Sequence, residues 1–279
     1  MPTPLYPPQR PLSIGEIVDA AFRIFLATVV KCLPYALVAV VAEQLPNIYY
    51  IVTGRGVLLA MLTAVKDPRW LLFDGIGLAI AMFLCSAMLL RQRALVTGGA
   101  AALAPELTAV LRRAPALMLL VVLWVAVVLA CLLPALAFGQ PLNIVVAIVM
   151  LVPASFIMLA LCASWPSLIL TGRSAVGSLV HSWHLTSGSL WRLSAVFTVA
   201  IVLVFVLELL ITVVTGLISL LVAHGDVAII MAATETVLVI LHAIVMPFYT
   251  ALLLAVFGDL CVRKEGTDLA QRISVAAAG

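Results

Sequence analysis

The sequence predicts an all-α integral membrane protein with six transmembrane helices. Of the 279 residues, 65% are hydrophobic and only 10% are charged, whereas soluble domains carry roughly 25% charged residues. The apolar residues form six blocks, each with the roughly 20 residues that a helix needs to cross a bilayer core. Because lipid offers the backbone no hydrogen-bond partner and the blocks lack the alternation of barrel strands, we expect each block to be a helix.

The six blocks follow a polar N-terminal segment. Residues 1–12 contain five prolines, which predict an irregular tail. A single transmembrane domain is predicted over residues 13–262, and residues 263–279 are predicted to form a cytoplasmic tail. The spans are predicted at about 33–53, 70–90, 115–138, 142–165, 191–223 and 227–260.

Three short amphipathic helices are predicted on the cytoplasmic face, before the first, third and fifth spans. Ser13 and Glu16 form a capping-box pattern that begins the first of them, Ser13–Phe25. The second covers Leu103–Arg113 and the third covers Ser174–Leu185. Each has one apolar stripe, as helices in the membrane interface do. The order of interfacial helix, span and span would then occur three times, which suggests a threefold internal repeat.

The third of these helices contains two histidines. Val176, Val180 and Trp183 belong to its apolar stripe, whereas His181 lies off it. His181 and His184 have the spacing of a metal-binding pair, but no nearby Cys, Asp or Glu offers a third ligand. We therefore expect both histidines to be solvated or interfacial.

Three ionisable residues within the predicted spans are candidates for a polar site. Glu208 lies in the fifth span, and Glu235 and His242 lie seven residues apart on one face of the sixth. The spans contain no interior Lys or Arg to pair with them. Because a charge in hydrocarbon is costly, such residues often mark an ion or substrate pathway. Hydrogen bonds between helices are the alternative explanation.

Small residues at four-residue spacing predict two places of close contact between helices. Gly77, Ala81 and Cys85 lie in the second span, and Ala126 and Ala130 lie in the third. Side chains of this size allow helix backbones to approach closely inside a membrane.

Aromatic and basic residues near the cytoplasmic ends of the spans are candidates for lipid contact. Trp concentrates at membrane interfaces, and Arg near a membrane surface attracts anionic headgroups. The candidates are Phe22, Arg23, Arg112, Arg113, Trp183 and Trp191.

Motifs of catalysis and cofactor binding are missing from the sequence. It contains no GxGxxG, phosphate-binding loop, HExxH or GxSxG pattern, and no Ser, His and acidic residues can be assigned to one catalytic set. The five cysteines are far apart and form no CxxC, so neither a disulfide framework nor a zinc site is expected. No basic cluster with interleaved aromatic residues suggests a nucleic-acid partner. We predict no catalytic residue, cofactor or metal.

Three stretches resemble a known family. RPLSIGEIVDAAFRIF (Arg10–Phe25), SLVHSWHLTSG (Ser178–Gly188) and GDLCVRKEGTDL (Gly258–Leu269) resemble the membrane domain of bacterial glycerophosphodiester phosphodiesterases and free-standing membrane proteins similar to it. In the larger enzymes of this family a catalytic barrel follows the membrane domain. The sequence ends at Gly279, so we expect the barrel and the phosphodiesterase activity to be absent.

These features predict a non-enzymatic protein of a bacterial inner membrane with membrane lipids as its partners. Membrane organisation or lipid handling through the cytoplasmic-face helices is the leading interpretation. A small secondary transporter that uses Glu208, Glu235 and His242 is the alternative.

The distribution of basic residues predicts that both termini lie in the cytoplasm. Twelve of the 15 Lys and Arg fall in segments on one side of the predicted spans, and cytoplasmic loops are enriched in these residues. The other three are Arg55, Lys66 and Arg69. A reporter that is active only in the periplasm should therefore be inactive when fused after Gly279. An active fusion would show that the topology is reversed.

Overall fold

The computed structural model describes residues 6–53, 67–139, 142–222 and 226–266, and within these ranges the chain forms helices and no strands. The predicted all-α fold is thus confirmed. The helices are α1 (Ile14–Glu43), α2 (Leu45–Val52), α3 (Pro68–Val96), α4 (Leu103–Leu132), α5 (Leu142–Ala160), α6 (Ser164–Thr171), α7 (Ala175–Thr186), α8 (Leu190–Val222) and α9 (Val227–Glu265), and a 3₁₀ turn covers Leu133–Ala137.

Among the residues that the structure describes, six helical segments are long and apolar enough to cross a membrane, which agrees with the six predicted spans. Their bounds differ from the predicted blocks most in the first and third segments, which begin at Ile14 and Leu103 and end at Glu43 and Ala135, before the predicted ends. The six segments are Ile14–Glu43, Pro68–Val96, Leu103–Ala135, Leu142–Thr171, Leu190–Val222 and Ile230–Glu265.

Two of the three predicted amphipathic helices are not separate helices. Ser13–Phe25 continues into the first span as part of α1, and Leu103–Arg113 continues into the third span as part of α4. Residues 26–33 contain neither glycine nor proline, so nothing ends the helix there. Pro115 lies inside α4 without ending it. Separate helices at these two places were a wrong prediction, and the threefold repeat stays a prediction.

The third predicted amphipathic helix does exist, as α7. Gly172 ends α6 with a φ of 74°, and Gly188 follows α7 with a φ of 78°. Glycine adopts this left-handed conformation without steric cost, so it ends helices efficiently. The two glycines explain why this amphipathic stretch is separated from its neighbours and the other two are not.

The chain forms two compact units, each with a core of its own. The first unit combines the described parts of Met1–Arg23, Thr108–Thr198 and Leu252–Gly279. The second combines those of Ile24–Leu107 and Val199–Ala251. Helix α9 contributes buried residues to both cores, and residues 254–260 of the first unit are all buried.

The surfaces of α5 and α8 are strongly apolar. Exposed large side chains include Ile148 and Leu151 on α5, and Ile201, Phe205 and Leu209 on α8. Soluble monomers rarely expose contiguous apolar patches of more than a few hundred Å². These faces therefore have the chemistry of helix surfaces that contact lipid.

A close backbone contact joins α1 and α3 in the second unit. A Cβ placed on Gly77 would lie 2.4 Å from the carbonyl oxygen of Ala42, and Ala81 one turn further on is buried. The predicted contact at these small residues is confirmed. Ala126 and Ala130 of α4 are exposed, so the contact predicted there is wrong.

Gly77→Ala should destabilise the protein. The added methyl group collides with a backbone oxygen that cannot rotate away, and such overpacking costs about 1–3 kcal/mol. Gly75→Ala is the matched control, since a Cβ on Gly75 meets nothing within 4 Å. Thermal melting of the two variants in detergent should show a loss for Gly77→Ala and none for Gly75→Ala. Equal melting would mean that the α1–α3 contact is looser than the structure indicates.

Candidate functional site

The intramembrane residues singled out by the sequence all lie in the second unit. Glu208 is half-buried on α8, whereas the side chains of Glu235 and His242 are exposed on α9. Glu208 lies within electrostatic range of Tyr249, and His242 lies within electrostatic range of Glu43 at the end of α1. Their assembly into one polar site stays a prediction. The sequence did not indicate that His242 and Glu43 lie this close together.

A buried carboxylate, Asp259 of α9, organises the first unit. Its side chain is about 1% exposed and accepts hydrogen bonds from the backbone N–H of Leu12 at 2.7 Å and from Nε of Arg263 at 3.0 Å. It also forms an ion pair with Arg192 of α8. Both guanidinium groups donate to the carbonyl oxygen of Leu12, at 3.1 Å from Arg192 and 2.6 Å from Arg263. Asp259 and its two arginines therefore fix the N-terminal segment to α8 and α9.

The residue before Asp259 provides the space that this arrangement needs. A Cβ on Gly258 would lie 2.6 Å from Cε2 of Tyr6 and 2.9 Å from Cδ of Pro8. The absence of a side chain at Gly258 lets the N-terminal segment lie directly on α9. The N-terminal segment was predicted to be an irregular tail. Its described residues are therefore packed against α9. Sequence analysis noted the GDLCVRKEG stretch but not this role.

A second polar chain in the first unit joins α6, α7 and the end of α9. Oγ of Ser167 lies 2.7 Å from Nδ1 of His181, and Nε2 of His181 lies 2.8 Å from Oε1 of Glu265. When Nε2–H donates to Glu265, Nδ1 accepts from the Ser167 hydroxyl, which satisfies both ring nitrogens. His181 is buried, so of the two predicted positions the solvated one is wrong and the interfacial one stays a prediction, whereas His184 is exposed. The partners lie 14 and 84 residues away along the chain, and this separation hid the grouping from sequence analysis.

These three side chains have the composition of a serine–histidine–acid catalytic triad but not its accessibility. In such a triad the serine hydroxyl must reach a substrate carbonyl. Ser167 is 0% exposed, so no substrate can reach its hydroxyl in this conformation. The thiol of Cys261 also hydrogen-bonds Glu265. The arrangement therefore holds helices together.

The second unit has its own buried ion pair. Nε of Arg91 donates to Oε2 of Glu106 at 2.9 Å, and the Tyr35 hydroxyl donates to the same oxygen at 2.8 Å. Arg91 also donates to the carbonyl oxygen of Lys31 at 2.8 Å, and its guanidinium lies 4.6 Å from the centre of the Tyr35 ring. Oε1 of Glu106 has no hydrogen-bond partner among the described residues. Arg91, which lies one residue beyond the predicted second span, thus belongs to a buried pair.

The predicted lipid contacts lie in the first unit and differ in exposure. Trp183 is 58% exposed and Trp191 is 78% exposed, with the Trp191 ring edge-on to Phe156 at 5.4 Å between centroids. Arg112 is exposed, and Phe22 is half-buried.

The two remaining predicted lipid contacts, both arginines, have protein partners. Arg23 is exposed and pairs with Asp19 at 2.9 Å. Arg113 is half-buried and donates to the carbonyl oxygen of Ile169 in α6. The role of all six residues in lipid contact stays a prediction.

Helix α7 turns its polar side inward. The hydroxyls of Ser182 and Thr186 donate to the carbonyl oxygen of Ala160 at 2.8 and 2.9 Å, which anchors α7 to the end of α5. The residues that face the first unit are Ala175, Ser178, His181, Ser182, Leu185 and Thr186. The exposed residues include Val176, Val180 and Trp183. The outer surface of α7 thus combines an apolar stripe of these three side chains with the exposed imidazole of His184.

Six apolar helices of spanning length define the class: a multi-pass α-helical membrane protein. No protein-family model, curated protein or solved structure matches the chain. The resemblance to the membrane domain of glycerophosphodiester phosphodiesterases stays a prediction that depends on the three quoted stretches.

Asp259→Asn should destabilise the protein strongly. Asparagine keeps an acceptor for Leu12 N–H but leaves two guanidinium groups without a counter-charge. Breaking a buried pair costs 3–5 kcal/mol, and the partial exposure of Arg192 and Arg263 favours the lower end, about 3 kcal/mol.

Asp19→Asn is the matched control, since it breaks the exposed pair with Arg23 and should cost less than about 0.5 kcal/mol. The check is thermal melting of both variants in detergent. A melting curve for Asp259→Asn like that of the control would exclude a structural role for the carboxylate.

Proposed function

We propose that the protein is a non-enzymatic, lipid-binding protein of a bacterial inner membrane, with both termini in the cytoplasm. One observation carries the proposal. The outer face of α7 is mainly apolar, with Val176, Val180 and Trp183 exposed beside one imidazole, that of His184, while its inner face is held by hydrogen bonds to the rest of the first unit. A face of this kind is stable only against an apolar surface, and acyl chains provide one.

The exposed tryptophans agree with a position at the interface of the membrane. Trp183 ends the stripe of α7, and Trp191, eight residues later, is the second residue of α8. The indole ring combines a large apolar area with one N–H donor, so it prefers the boundary between headgroups and acyl chains. The excess of basic residues on the same side of the predicted topology supports the cytoplasmic leaflet.

The polar clusters favour a non-enzymatic role. Asp259, His181 and Arg91 each bind groups from other segments of the chain, at hydrogen-bond distance. Catalytic groups must instead present a reactive atom to substrate. The transporter alternative depends on Glu208, Glu235 and His242, of which two are exposed on the surface of α9. The lipid-binding proposal therefore has the stronger support.

Trp183 should be quenched by brominated phospholipids in reconstituted vesicles, because it is exposed on the stripe. Trp183→Phe should lower the fraction of tryptophan emission that these lipids quench. Trp165→Phe is the matched control: Trp165 is buried, so its loss should raise that fraction. The measurement is steady-state fluorescence of the wild type and both variants. An unchanged quenched fraction in Trp183→Phe would refute lipid contact by α7.

A further inference from the structure

The turn between α6 and α7 is polar and exposed. It consists of Thr171, Gly172, Arg173 and Ser174, and all four residues are exposed. The left-handed conformation of Gly172 brings the chain from the end of α6 to the start of α7 within these residues. The turn thus leads directly into the apolar stripe of α7.

Arg113 of α4 brings a guanidinium group to this turn. Its Nη1 donates to the carbonyl oxygen of Ile169, near the end of α6. Its Nη2 lies 3.4 Å from the position of a Cβ on Gly172, which places the group in contact with the turn itself. The bond to Ile169 fixes the orientation of the guanidinium, so little side-chain entropy remains to be lost on binding an anion.

Arg173 adds a second guanidinium at the adjacent position. Its side chain is exposed, and it lies close enough to Cys261 to act electrostatically on the thiol. Glu265 also acts electrostatically on this thiol, and one of its oxygens binds His181. Arg113 and Arg173 thus contribute two positive charges at the turn.

The apolar stripe begins three residues after Arg173. Val176, Val180 and Trp183 follow at helical spacing, and the seven steps from Val176 to Trp183 cover about 10 Å along the helix. A cationic end joined to an apolar stripe is complementary to a molecule with an anionic head and a long apolar tail. Free phosphate would contact only the cationic end, and a polar peptide would leave the apolar stripe without a contact.

We propose that the turn between α6 and α7 binds the phosphodiester headgroup of an anionic phospholipid, while one acyl chain lies along the α7 stripe. Arg113 and Arg173 donate to the phosphate oxygens, which guanidinium groups bind by paired, charge-assisted hydrogen bonds. This inference rests on the proposed lipid-binding function and adds to it a defined site, a lipid class and a residue, Arg173, that sequence analysis did not single out.

The test measures energy transfer from tryptophan to dansyl-labelled lipid, using the full chain purified in detergent. The wild type should bind dansyl-phosphatidylglycerol more tightly than dansyl-phosphatidylcholine. Arg173→Gln should weaken the binding of phosphatidylglycerol about fivefold, the effect of one basic residue near an anionic lipid, and weaken that of phosphatidylcholine less, because its choline cation offsets the charge of the phosphodiester. Arg69→Gln, which removes an equally exposed arginine from the start of α3, is the matched control and should change neither affinity.

Three results would overturn the inference. Equal affinity of Arg173→Gln and the wild type for phosphatidylglycerol would show that the turn is not the site. Full displacement of the labelled lipid by inorganic phosphate would assign the turn to a free anion. A dimer that persists in the presence of phosphatidylglycerol, with Trp183 at its interface, would assign the stripe to a second copy. The brominated-lipid experiment separates the two proposals, because failure at Arg173 alone leaves the quenching of Trp183 intact.

Discussion

The buried carboxylate of Asp259 shows the constraint on which the rest of this fold depends. In an apolar surrounding a charge needs partners from the protein, and unpaired it is costly. Asp259 has two arginines and a backbone N–H, drawn from the N-terminal segment, α8 and α9 itself. One side chain thus fixes three segments, and the neighbouring Gly258 removes the steric obstacle to their approach. The core of the first unit is therefore specified by polar pairing as much as by apolar packing.

The same constraint determines the orientation of α7. In a soluble protein an amphipathic helix buries its apolar face, but here Ser182 and Thr186 bind a backbone oxygen of α5 and His181 binds Ser167 and Glu265. Polar groups find their partners inside the first unit, and the apolar stripe is left outside. A stripe in that position needs an apolar surrounding, so the internal hydrogen bonds and the lipid-facing surface have one cause.

Length and composition were sufficient to predict the six spans, because bilayer thickness imposes them directly. The α1–α3 contact was also predictable, since Gly77 belongs to a series of small residues at four-residue spacing. Such a series allows the backbones of two helices to approach closely. The ends of helices within long helical stretches were harder to predict from the sequence. Glycines separate α7 from its neighbours, whereas α1 continues through Phe25 without a break. The pairs of His181 and Arg91 could not be predicted at all, because their partners lie far apart in sequence and are set by tertiary packing.

The positions of the charges also indicate where lipid recognition is to be sought. Asp259 and the Arg91–Glu106 pair already bind several protein groups, so an incoming ligand would have to displace contacts on which the fold depends. Arg113 differs from them, because it binds a carbonyl oxygen at the edge of an exposed turn rather than a buried carboxylate. A guanidinium bound to a neutral group keeps its full charge for an anion outside. The polar groups of greatest functional interest are therefore those at the end of the α7 stripe and not those within the helix bundle.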